Sequence, residues 1–163
     1  MTTAPADAAL SLDLASESAT TALAARIARL AEAGDVIALR GELGSGKTSF
    51  ARGFIRALGR IEEEVPSPTF TLVEVYESPE GAPAVWHFDL YRLGKSEDVW
   101  ELGLEEALGR GILLIEWPER LGPLLPRERL DVALAAGSSP MERRVRLDAS
   151  PAWARRLASL AGS

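Results

Sequence analysis

Residues Gly41-Glu42-Leu43-Gly44-Ser45-Gly46-Lys47-Thr48 fit the spacing G-x4-G-K-[ST]. Each residue type has a chemical reason to be there. Glycines open backbone angles closed to other residues and let main-chain amides approach a bound anion. Several N–H groups can then point into one concavity, and a helix starting near Lys47 adds its positive end. Lys47 supplies a point charge for β- and γ-phosphates, and Thr48 offers a hydroxyl to a magnesium ion. The cradle so defined takes in Glu42, Leu43, Gly44, Ser45, Gly46, Lys47, Thr48 and Ser49.

A phosphate cradle that does chemistry needs a magnesium ion, and magnesium asks for a carboxylate besides Thr48. In α/β sheets such groups stand at the C-terminal ends of core strands. Glu116 ends "ILLIE" and Asp89 ends "AVWHFD". The pair suits a division of labour, one ligating metal and one positioning or deprotonating the attacking water. His87, the only histidine, alternates with Asp89 and can share its face. Lone strand histidines are more often structural, and that reading is preferred. Trp117 follows Glu116 and is expected beside the nucleotide. The link "VPSPTFT" (65–71) is proline-constrained and rich in hydroxyls. Thr69, ahead of Thr71, is placed to sense a γ-phosphate as switch threonines do.

The elements that must hold these residues follow from pattern. "ALSLDLA" (9–15) alternates as a strand does. Residues 16–34 read as a helix, with Ser16 or Ser18 as cap and Gly34 at its C-terminus. "DVIALR" (35–40) is a short buried strand, and a helix follows the glycine loop over roughly 47–58. Strands at 71–77 and 84–91 flank the turn "SPEGAP" as a hairpin. Ser96 is expected to cap a helix running to about Leu108, broken by Gly109–Gly111. "ILLIEW" (112–117) is an apolar run suited to a buried parallel strand, stopped by Pro118. Residues 129–136 and 143–149 form a second antiparallel pair, and Ser150-Pro151 opens a last helix. The fold class is α/β: a P-loop NTPase-like sheet of mixed parallel and antiparallel strands flanked by helices, in one domain over 1–163.

Composition narrows the function classes. A chain of 163 residues with 47% hydrophobic and 26% charged residues is ordinary for one soluble domain. Without cysteine it has neither disulfides nor thiol chemistry. No apolar run approaches a membrane span, and the N-terminus lacks signal-peptide character, so a cytoplasmic protein, monomeric on its own, is expected. The formal net charge of −6 argues against autonomous DNA or RNA binding.

Four stretches, "GELGSGKTSFARGFIRALG", "SPTFTLVEVY", "HFDLYRL" and "LIEWPER", occur in this order. Together they resemble the bacterial TsaE (formerly YjeE) family, over roughly residues 16–121. The phosphate loop is common to many families; the combination of the other three is far more specific. The resemblance implies ATP and Mg2+ as ligands and slow ATP hydrolysis in isolation. It implies work beside the TsaB–TsaD pair, which moves a threonylcarbamoyl group from its adenylate onto the adenosine next to the anticodon of ANN-decoding tRNAs. TsaE is not that transferase; its ATP cycle resets or regulates the complex, and its contact with tRNA is indirect. By position, Gly44 to Lys47 hold phosphate, Thr48 and Glu116 hold magnesium, and Asp89 is the second functional carboxylate. Ser67 to Thr71 fall on the family's switch-like link. Thr20 falls where the family brings an N-terminal threonine near the nucleotide base, and Glu119 stands where some relatives carry an amide.

Two rival classes fit the loop less well. A small-molecule P-loop kinase usually brings arginines on a mobile lid, and no long arginine-bearing insertion is present. A GTP switch usually carries an N-K-x-D stretch for the guanine edge, which is missing. A third reading, a nucleotide-gated binding module with incidental hydrolysis, overlaps the main one.

Overall fold

The aliphatic run before Glu116 behaves as its composition requires. In the computed structural model, which describes residues 8–59, 72–78 and 80–161, all five residues of strand β5 (Ile112–Glu116) are buried. Burial on both faces demands neighbours on both edges, and β5 lies between two parallel strands, β2 (Val36–Arg40) and β4 (Val85–Asp89). The remaining strands are β1 (Ala8–Leu14), β3 (Val73–Tyr76), β6 (Leu130–Ala136) and β7 (Arg143–Ala149). The order across the one sheet is β1-β7-β6-β2-β5-β4-β3. The centre is parallel, β2 pairing with β5 and β6 and β4 with β5, whereas β1–β7, β6–β7 and β3–β4 are antiparallel. The mixed sheet read from the sequence is therefore present, with both expected hairpins.

Helices cover both faces. On one side, α1 (Glu17–Ala28), α2 (Lys47–Ala57) and α4 (Pro151–Ala161) pack Leu23, Ile27, Phe50, Phe54 and Trp153 against Ile37, Leu39 and Leu114. On the other, Val99, Leu104 and Leu121 cover Val36, Phe88, Leu113 and Ile115. Burying such a side chain fully contributes about 1.5–3 kcal/mol, so the two apolar layers hold the strand ends in register. The approach of α1 to α2 depends on Gly53, where a Cβ would stand 2.9 Å from the Thr21 Cα. Among the described residues no helix is long and apolar enough to cross a membrane.

Several boundaries differ from the sequence reading. Helix α1 starts as expected, with the Ser16 side chain accepting from the Ala19 N–H. It ends at Ala28, not near Gly34. Leu30 and Ala31 donate three residues back, to Ile27 and Ala28, which tightens and closes the helix. Gly34 instead donates to the Gly111 carbonyl at 2.7 Å, tying the start of β2 to that of β5. The expected helix from Ser96 is two pieces, a 3-10 helix (Ser96–Leu102) and α3 (Leu104–Arg110), because Gly103 turns left-handed at φ 92. Its cap is Lys95, whose N–H donates to Asp98, and Ser96 already lies inside. Gly109 belongs to α3 rather than breaking it. After β5, Trp117 is left-handed and Pro118 opens a kinked 3-10 helix (Pro118–Leu124) that the apolar pattern did not announce. Ser67, Thr69 and Thr71, where the switch is expected, lie outside the described residues.

Candidate functional site

Three parallel strands bring their C-terminal ends to one place. The β4–β5 register pairs Asp89 with Glu116, and the β2–β5 register pairs Leu39 with Glu116. Asp89 and Glu116 are 4% and 2% exposed. Two buried carboxylates side by side are expensive unless something positive faces them. The chain between β2 and α2 supplies it.

That connection is the glycine loop. Gly46 stands at the N-cap of α2 with φ 108, a left-handed angle that favours glycine, and no described side chain caps the helix there. The first amides of α2 are thus left to other acceptors. Lys47 and Thr48 are the first residues of the helix and face the carboxylates. Thr48 Oγ1 donates to Glu116 Oε1 at 3.4 Å, and the other carboxylate oxygen, Oε2, lies 2.7 Å from His87 Nε2. The Lys47 ammonium donates to the Gly41 carbonyl and stands 3.4 Å from the centroid of the Trp117 ring. Asp89 Oδ1 accepts from the Tyr91 N–H at 3.1 Å.

These groups open into a cleft of about 280 Å³ lined by Leu43, Gly44, Gly46, Lys47, Thr48, Ser49, Asp89, Tyr91, Glu116, Trp117 and Arg143. Most of the predicted residues meet there. Glu42 and Ser45 contribute no lining. Glu42 is exposed, and its carbonyl accepts from the Ser45 N–H at 3.1 Å. Ser45 turns inward, close to Gly41. Thr20 lies beside the cleft rather than in it. It lines a small adjoining recess with Glu17, Gly46, Ser49, Met141 and Arg143, and its hydroxyl donates to the Ser16 carbonyl at 3.4 Å. Ser49 bridges the two, lining both and donating to Glu17 at 3.1 Å.

Burial pushes the Lys47 ammonium below its ordinary pKa, while Glu116, Glu119 and Asp89, in that order, hold it up. Desolvation outweighs them, and an added anion would favour the charged form. The donor set also suits a hard cation. A hydroxyl and a carboxylate oxygen meet at the cleft wall, and among the described residues no cluster of three acidic, histidine or cysteine side chains forms a closed cage. Magnesium commonly accepts that: few protein oxygens, the rest from phosphate and water.

Three residues at the site were not selected from the sequence. Tyr91 follows Asp89 and tilts against Trp117, with ring centroids 4.9 Å apart; its place in "HFDLYRL" was the available signal. His87 touches Glu116, which strand alternation hinted at without naming the partner. Arg143 arrives from the start of β7 and donates from Nη2 to the Gly44 carbonyl at 3.2 Å. Nothing local to "RRVRLDA" points to a loop almost a hundred residues earlier.

Comparison with known proteins gives a consistent result. The family model described as "Threonylcarbamoyl adenosine biosynthesis protein TsaE" matches residues 14–145. The chain is 42% identical over 109 residues to the tRNA threonylcarbamoyladenosine biosynthesis protein TsaE of Treponema pallidum, covering 66% of this chain and 78% of that one. It is 43% identical over 117 residues to the protein of the same name from Bacillus subtilis, covering 71% and 70%. The crystal structure of Bacillus subtilis YdiB superposes with a TM-score of 0.79 at 30% identity, covering 95% of each chain.

Proposed function

This chain belongs to the TsaE family, and from that premise we propose that it is an ATP-binding, magnesium-dependent ATPase serving threonylcarbamoyladenosine formation in tRNA. The observation that carries the reading is the meeting of Thr48 and Glu116 across 3.4 Å, beside Asp89 and at the start of α2. Glycine-loop amides and Lys47 hold the triphosphate. Thr48 and Glu116 would hold magnesium, which when bound would neutralise phosphate charge. Asp89 orients the attacking water and accepts its proton. Trp117 and Tyr91 close one wall of the cleft. The recess beside Thr20 lies next to the phosphate cradle and is assigned to the nucleoside end. All residues of the chain serve this one ATPase domain.

The protein is the accessory, not the transferase. It acts with TsaB and TsaD in the cytoplasm, with tRNA engaged through them. The test is reconstitution of purified protein with TsaB, TsaD, tRNA, the threonylcarbamoyl adenylate and ATP. Multiple turnover of modified tRNA should need this protein and stop with Lys47→Ala. Equal turnover with the variant would overturn the reading.

A further inference from the structure

The one histidine of the chain has one polar partner among the described residues. His87 is 0% exposed, its Nε2 lies 2.7 Å from Glu116 Oε2, and its Nδ1 is buried with no hydrogen-bond partner among the described residues. Across the sheet it pairs with Leu114 on one side and Glu74 on the other. Burying an imidazole with one nitrogen unsatisfied is unfavourable. A histidine serving only as packing could be replaced by leucine at no such penalty. The Nε2 contact is therefore what the ring contributes.

We infer that His87 is a positioning residue: its Nε2–H holds Oε2 of Glu116 so that Oε1 is presented to Thr48 and to the cation. The inference rests on the proposed function. The two carboxylate oxygens are already divided between two partners, Oε2 to His87 and Oε1 to Thr48. Without the His87 donor, a carboxylate 2% exposed loses the shorter of these two hydrogen bonds. Outer partners that orient ligands in this way typically account for about 10–100-fold in metal affinity.

Glutamine can carry an N–H to the place of Nε2, whereas methionine fills the volume and donates nothing. The experiment measures Kd for ATP twice, with Mg2+ and with EDTA, in wild type, His87→Gln and His87→Met. The ratio of the two constants reports the cation's contribution. In His87→Met the Mg2+ enhancement should fall about 10–100-fold while metal-free affinity stays unchanged. His87→Gln should keep most of the enhancement. Full enhancement in His87→Met, or equal loss in both variants, overturns the inference.

Should His87→Met not fold, the single imidazole still reports by NMR in the wild-type protein. Its Nε2 should carry a protected proton whose shift moves in Glu116→Gln. A proton on Nδ1 alone overturns the inference. If wild-type protein binds no ATP under either condition, the ATPase reading fails instead, and the NMR result decides the His87–Glu116 link separately.

Discussion

The ammonium of Lys47 rests against Trp117, 3.4 Å from the ring centroid, and donates to the Gly41 carbonyl. Both partners are electron-rich but uncharged. A cation over an indole contributes about 0.5–2 kcal/mol, less than charge-assisted bonds to phosphate, so a triphosphate should draw Lys47 off the ring. Adding Mg·ATP is expected to change tryptophan emission, and the change should vanish in Trp117→Phe. Lys47→Ala should weaken Mg·ATP binding about 10–100-fold, the worth of one hydrogen bond to a charged group. Calorimetric titration checks it.

Burial lowers the Lys47 pKa, which fixes the sign of a pH effect. Between the lowered value and the ordinary 10.5, the unfolded chain holds a proton that the free folded protein has released, so free-protein stability from this group rises with pH there. Nucleotide binding has the opposite trend. The phosphates favour the charged form, so affinity should fall as pH rises through that window and binding should take up protons. Titrations in two buffers of different ionisation enthalpy would reveal the uptake. Equal apparent heats would contradict it.

The two carboxylates should separate in their effects. Asp89→Asn is expected to retain Mg·ATP affinity while hydrolysis falls about 10²–10⁴-fold, the usual contribution of a positioned base. Glu116→Gln should lose the Mg2+ enhancement of binding as well. Paired measurements of Kd and single-turnover hydrolysis distinguish them; identical profiles would remove the division of roles.

Gly53→Ala places a methyl 2.9 Å from the Thr21 Cα. Backbone cannot yield as a flexible side chain would, so α1 must move off α2, at about 1–3 kcal/mol. A thermal melt should drop by about 2–4 °C per kcal/mol. An unshifted melting temperature would mean that the helices already have slack.

Arg143 ties the glycine loop to the β6–β7 hairpin, donating to the carbonyls of Gly44, Pro140 and Glu142. Arg143→Ala should loosen the loop and lower ATP affinity to a similar degree with and without Mg2+, by about tenfold for one lost charge-assisted bond. Loss confined to the Mg2+ condition would point instead to a role at the metal.

Much of this protein is written locally. The glycine spacing, the aliphatic run before Glu116 and the alternation through Asp89 are each set by neighbours a few residues away, so the loop, both strand ends and the mixed sheet were legible. Helix ends were less so. Gly34 has the chemistry of a cap, yet its N–H goes to Gly111, a partner no local pattern contains. Gly103 splits a helix because its backbone turns left-handed, packed closely on Trp86.

What the sequence alone determined is which groups are available: amides, one ammonium, one hydroxyl and two carboxylates at strand ends. What only the tertiary structure decided is their pairing. Glu116 meets Thr48 and His87 because parallel registry sets β4 beside β5 and the loop after β2 carries α2 over both. Arg143 reaches Gly44 because β7 runs antiparallel to β6, beside β2. Such contacts join residues far apart in the chain through strand order, and strand order is fixed by how the two apolar layers pack, which no short stretch encodes.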